Sequence, residues 1–278
     1  MTTQLFDIAG AAVYWTLSEA TDFETLRDGL SAAGFGKFAP EPRTEQATLK
    51  EALENLYPGH DIKALADRKC FEVTKCHAGT DRNEHRHVIT ARMICGRVET
   101  DSEAILDNDK IGAEYRRLKD RIPYHTVTRI LTDIVSDLNG TTLRPTGGIY
   151  WLPADRLERW EMAADLIERA SLDRKSRVYT LRTICDESAV LAVRAALTAE
   201  IEREAADIEK RLHEPTAGYE AKRTQRKRAE ALRQKLTRYE SDLGLTLNDL
   251  RGLLDQATDR AAVATLLESA AGIATPQP

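Results

Sequence analysis

The chain has 278 residues, 42% hydrophobic, 31% charged and 6% aromatic. That balance excludes collagen-like, low-complexity and disulfide-scaffold classes, and the length permits one large or two modest domains. Forty basic against 45 acidic side chains leave a formal charge of −5, so the whole molecule is not a nucleic-acid polycation.

Four cysteines (Cys70, Cys76, Cys95, Cys185) are widely spaced and form no CxxC pair, which favours reduced thiols. The opening MTTQLFDIAGAAVYW lacks a basic region and carries Asp7 inside its apolar stretch, unlike a signal peptide. No run approaches the roughly 18 apolar residues that span a bilayer. A cytoplasmic protein with no membrane partner is the expectation.

The first apolar run, residues 8–17, reads as a buried strand. Thr21 and Glu24 then form a capping-box pattern ahead of Phe23, Leu26 and Leu30, with Gly34 at the stop. After Pro40 and Pro42, residues 44–56 read as a second helix through Leu49, Leu53 and Leu56, ended by Pro58-Gly59.

Residues 70–98 change period and predict a β-hairpin with a long loop. Its second arm places Val88, Thr90, Arg92, Ile94 and Gly96 on one face. His85, His87, Ile89, Ala91, Met93 and Cys95 take the other. A helix is expected around residues 111–122. Pro123 opens the next, whose stripe is Val127, Ile130, Leu131, Ile134 and Leu138, stopped by Asn139-Gly140.

Residues 143–153, LRPTGGIYWLP, hold the most distinctive local pattern. Two short extended arms flank a structural turn at Pro145, Gly147 and Gly148, where glycine tolerates positive φ. Pro153 opens a helix that buries Leu157, Trp160, Ala164 and Ile167, and residues 177–183 (RVYTLRT) form a strand.

From Asp186 the pattern is helical. Val190, Val193, Leu197, Ile201, Ala205, Ile208 and Leu212 mark one helix of roughly 40 Å. Pro215 and Gly218 break it. Ala229, Leu232, Leu236, Tyr239 and Leu243 then follow the a/d spacing of a coiled-coil seam, ended by Gly244. Two short helices are expected beyond, one through Leu250, Leu253 and Leu254 and one from about Asp259.

The fold class is therefore α+β. Residues 1–184 form a mixed sheet covered by helices, and residues 185–278 form a helical, coiled-coil-like hairpin domain with two short helices.

The segment 143–153, followed by a helix, a strand and a long helical pair, resembles a family of unknown function found in phages and other mobile elements of bacteria and archaea. Arg144, Pro145, Gly147, Gly148, Tyr150 and Pro153 carry the match. The resemblance implies a genomic setting and a layout of elements, and it brings no catalytic residue.

Cys70, Cys76, His77, His85 and His87 are the one cluster of metal-capable residues, but C-x5-C-H-x7-H-x-H matches no standard zinc spacing. Asp107-Asn108-Asp109-Lys110 fails as a calcium loop, because Ile111 and Leu118 stand where acidic ligands are needed. No phosphate-binding glycine motif and no G-x-S-x-G occurs. The sequence thus names no catalytic residue, no metal ligand and no cofactor.

Charge is more informative. Residues 216–240 carry eight basic side chains and three acidic ones, whereas residues 186–212 carry seven acidic and four basic. A basic helix lying on phosphates is one account, with Lys222, Arg223, Arg226, Lys227, Arg228 and Arg233 as nucleic-acid-binding residues. Charge pairing between two antiparallel helices is the other. The reading is a non-enzymatic protein of mobile-element type that associates with DNA or RNA, or assembles as a homo-oligomer through helices 186–243. A metal-dependent hydrolase or nuclease on the 70–87 hairpin, and an adaptor whose helical arm binds another protein, are the alternatives.

Overall fold

The computed structural model describes residues 8–65, 70–78, 83–101, 105–144, 147–184, 186–214, 218–244 and 246–273. Strand β1 (Ile8–Thr16) is followed by the two-residue β2 (Thr21–Asp22) and helix α1 (Phe23–Ala32). The cap of α1 differs from the capping-box pattern. Asp22, not Thr21, is the N-cap, and its carboxylate accepts the Thr25 N–H at 2.9 Å. Thr21 is drawn into β2, where it faces Ile122 and is fully buried, so it is not available as a cap. Helix α2 (Glu45–Leu56) starts where expected, with the Thr44 hydroxyl accepting the Ala47 N–H at 3.3 Å.

Strands β3 (Asp61–Ala64), β4 (Cys70–Ala78), β5 (Asn83–Ile94) and β6 (Arg97–Thr100) form an antiparallel meander. The inward face of β5 is the expected one: Ile89 and Ala91 are buried while Val88 and Arg92 are exposed. With Phe71 and Val73 they pack on Leu49, Leu53, Ile111 and Tyr115 from α2 and α3 (Ile105–Lys119). Cys95 and Gly96, expected inside the second arm, instead make the two-residue turn between β5 and β6. Their φ values of 48° and 77° are those of a type I′ hairpin, whose twist matches the strands. The acidic run from Asp107 lies in α3.

Strand β7 (Arg121–Ile122) pairs with β2, and α4 (Tyr124–Asp137) follows. Its end is a Schellman motif. The Gly140 N–H reaches the Val135 carbonyl at 2.7 Å, the Asn139 N–H reaches Ser136 at 3.0 Å, and Asn139 takes φ 60°. Next come β8 (Thr141–Thr142), β9 (Tyr150–Pro153), α5 (Leu157–Ala170) and β10 (Arg177–Ile184). These strands and β1 form a sheet in the order β10-β1-β9-β8, with Ala12 opposite Trp151. The alternation of elements suggested one sheet; among the described residues the strands divide among three.

Helices α6 (Glu187–Leu212), α7 (Tyr219–Leu243) and α8 (Asn248–Ile273) pack on one another. Two short helices were expected after Gly244, and one helix of 26 residues takes their place. Asp255-Gln256-Ala257-Thr258 contains neither Pro nor Gly, so nothing there stops the helix. The α7 seam residues Leu236, Tyr239 and Leu243 share a core with Val193, Leu197 and Ile201 of α6, Leu250 and Leu254 of α8, and Trp151. Among the described residues, no helix is long and apolar enough to cross a membrane.

The architecture is α+β, and the chain divides into two compact units. One takes the described residues up to Trp15, Thr132–Met162 and those from Val178 onward. The other takes Thr16–Leu131 and Ala163–Arg177.

Gly147 and Gly148 both hold positive φ, 75° and 92°, between β8 and β9; Pro145 lies outside the described residues. A Cβ at either site meets nothing closer than 3.8 Å, so the demand is one of backbone conformation alone. Replacing both with Val should lower stability by about 1–3 kcal/mol per site in a urea melt, and Asn should recover part of it. An unchanged melt would show that the turn does not need glycine.

Candidate nucleic-acid interface

The periodicity of α7 sorts its side chains into two sides. Gln225, Ala229, Leu236, Tyr239 and Leu243 are buried. Tyr219, Arg223, Arg226, Lys227, Glu230, Arg233, Gln234 and Thr237 are exposed, and recur at helical spacing along the outer side.

The basic residues differ sharply in what they touch. The Arg228 guanidinium donates to Glu204 at 2.6 Å and to Asp207 at 2.9 Å, both on α6. Burial works against its charge, but these two bonds outweigh that and raise its pKa. In return, Arg228, with Arg211 adding, holds the Asp207 carboxyl below its ordinary value. Arg228 is therefore a strut between α6 and α7. Lys235 is a second strut: its ammonium donates to Glu200 at 2.6 Å and to the Gly140 carbonyl at 2.7 Å. Burial pushes its pKa down against the pull of Glu200. The neighbouring Tyr239 hydroxyl donates to the Asn139 carbonyl at 2.8 Å, so both residues grip the end of α4.

Arg233 faces Asp255 of α8 at 3.2 Å, and Arg223 pairs loosely with Glu220 at 3.4 Å within its own helix. Lys222 is half-buried. Arg226 and Lys227 are exposed and have no ion-pair partner among the described residues. The six sequence candidates thus fall into an inward strut (Arg228), two paired rim residues (Arg223, Arg233), half-buried Lys222, and two open cations.

Sequence reasoning passed over Tyr219, Gln234 and Thr237. The same helical spacing that runs through Arg223, Arg226 and Arg233 includes all three, and would have found them. Arg233, Gln234, Thr237, Arg238, Ser241 and Asp242 border a shallow hollow of about 540 Å³ on this face, where Arg238 pairs with Asp155 at 3.2 Å.

On the hairpin, Cys76 is exposed opposite His85, and Cys70 lies opposite Arg92. The His87 Nε2 stands 2.9 Å from the Thr90 hydroxyl and 3.2 Å from Asp101. The His77 and His85 side chains lie outside the described residues. Among the described residues, no three His, Cys, Asp or Glu side chains gather as a metal site.

The fold and the charged outer face of α7 are those of an α+β protein. The chain belongs to DUF6744, a family of unknown function, whose sequence profile matches residues 97–272. The match begins at β6 and runs into α8, so it takes in the Gly147-Gly148 turn and almost all of the three-helix region. Neither the curated proteins nor the solved structures contain a match to the chain.

Proposed function

We propose that this is a non-enzymatic, cytoplasmic protein of mobile-element type that associates with nucleic acid through the outer face of α7. The observation that supports this most is the pair Arg226 and Lys227, exposed one helical turn from Arg223 and without carboxylate partners among the described residues. Cations in that condition gain by neutralising phosphates, because each contact releases condensed counterion. The molecule's negative formal charge does not oppose this, since acidic groups beyond a Debye length of about 8 Å are largely screened. The likeness of residues 143–153 to a mobile-element family supports the genomic setting.

Assembly with copies of itself or with another protein is a second reading, favoured by Leu191, which is 55% exposed on α6. One variant separates the two. Arg226→Glu with Lys227→Glu should abolish retention on DNA or RNA at about 50 mM salt and leave the melting curve unchanged. The wild type should lose affinity with a salt slope near −0.9 per contact on duplex, or −0.7 on single strands. Arg228→Glu is the control, because it breaks a strut and should lower stability. A wild type that binds neither DNA nor RNA sinks the nucleic-acid reading.

A further inference from the structure

We infer that the nucleic acid taken by this face is single-stranded, with a base stacked on Tyr219 and the adjoining phosphates on Arg223, Arg226 and Lys227. This rests on the reading that α7 binds nucleic acid at all. Tyr219 is the first residue of α7 and is 42% exposed. Among the described residues it makes no ring contact and no side-chain hydrogen bond. Arg223 and Arg226 follow it at intervals of four and three residues, so all three lie on one stripe. The helical rise places them about 6 and 10 Å further along the axis.

An aromatic ring in that position has little to offer a duplex, which shows proteins its phosphates and base edges and hides the base faces in its stack. A single strand exposes those faces. Stacking one base on an aromatic side chain there is worth roughly 5- to 150-fold in affinity, and it tolerates any sequence. The rest of the face suits an extended strand. Beyond the cations, the hollow bordered by Gln234, Thr237 and Ser241 offers amide and hydroxyl groups to a sugar-phosphate backbone. Its guanidiniums, Arg233 and Arg238, are paired with Asp255 and Asp155, and Asp242 stands on its rim. From Tyr219 to Thr237 the ridge runs about 27 Å along the helix axis. Two exposed acids lie along it: Glu220, which pairs loosely with Arg223, and Glu230, whose repulsion of phosphate makes Glu230→Gln a tightening substitution.

The test is fluorescence anisotropy on the full chain, with labelled oligo-dT and a duplex of equal length. Oligo-dT should bind more tightly than the duplex. Tyr219→Ala should weaken oligo-dT binding by roughly 5- to 150-fold and leave duplex binding where it was, and Tyr219→Phe should restore it. If Tyr219→Ala changes neither affinity, or both equally, or if the duplex binds more tightly, the single-strand inference falls. The reading of α7 as a nucleic-acid face still stands in those cases, provided Arg226→Glu with Lys227→Glu abolishes binding. A wild type that binds neither probe overturns both.

Discussion

Replacing Lys235 with Ala should lower stability by about 3–5 kcal/mol, the range for breaking a buried ion pair by removing one partner. The Lys235 and Glu200 side chains are only 10% and 18% exposed. One Glu200 oxygen is already buried without a hydrogen-bond donor among the described residues. Without the ammonium, that carboxylate would stand uncompensated and the Gly140 carbonyl would lose its donor. Lys235→Met combined with Glu200→Met should recover most of the loss, because two apolar side chains of similar length need no partner there. A urea-melt double-mutant cycle measures this directly. Equal losses in the single and double variants would show that packing, not charge, is what Lys235 contributes.

Trp160→Ala should be as damaging, about 3–5 kcal/mol, since it empties one of the largest fully buried positions. Trp160 lies 6.1 Å from Trp15, which is itself stacked on Tyr150 at 5.2 Å. Its indole N–H donates to the Thr180 hydroxyl at 3.1 Å, which ties α5 to β10. Trp160→Phe separates the two contributions. It keeps much of the ring volume and gives up the hydrogen bond, worth about 1 kcal/mol, together with the volume difference. Tm values should fall in the order wild type, Phe, Ala. An Ala variant that melts with the wild type would mean that the site is not part of the cooperative core.

Most structural decisions that are local were legible in the sequence, the Cys95-Gly96 turn and the unbroken helix α8 excepted. Val193, Leu197, Ile201, Ala205 and Ile208 face inward because their spacing leaves no other face for them. Asn139 and Gly147-Gly148 declared a helix stop and a turn through positive φ, and Gly140 completes the stop where a Cβ would collide with Val135 and Leu152. Where the decision is between distant segments, the sequence was ambiguous. Thr21 carries a good capping pattern, but Ile122, a hundred residues on, recruits it into a strand. Cys95-Gly96 makes a tight hairpin without the usual Asn or Asp to announce it. Strand alternation named β1, β4, β5, β9 and β10, but not the short β2, β3 and β7, nor which sheet each would join. The charge of α7 could likewise be counted in advance, whereas its availability could not. Glu204 and Asp207, more than twenty positions away, neutralise Arg228, and Asp255 on a third helix holds Arg233.

The pairing of Ala12 with Trp151 sets a clock on synthesis. A ribosome adding about 5–20 residues per second needs roughly 7–28 s to travel between them. For that interval the apolar strand IAGAAVYWT exists while its partner β9 has not yet been made. The four-stranded meander and its covering helices, from residues 45–119, can mature during the wait, because every partner in their core is made before β9. The sheet founded on the first strand is among the last parts to close. A nascent chain stalled before residue 150 should therefore display a mature meander beside an unpaired β1, and that strand is the segment most in need of a chaperone's cover.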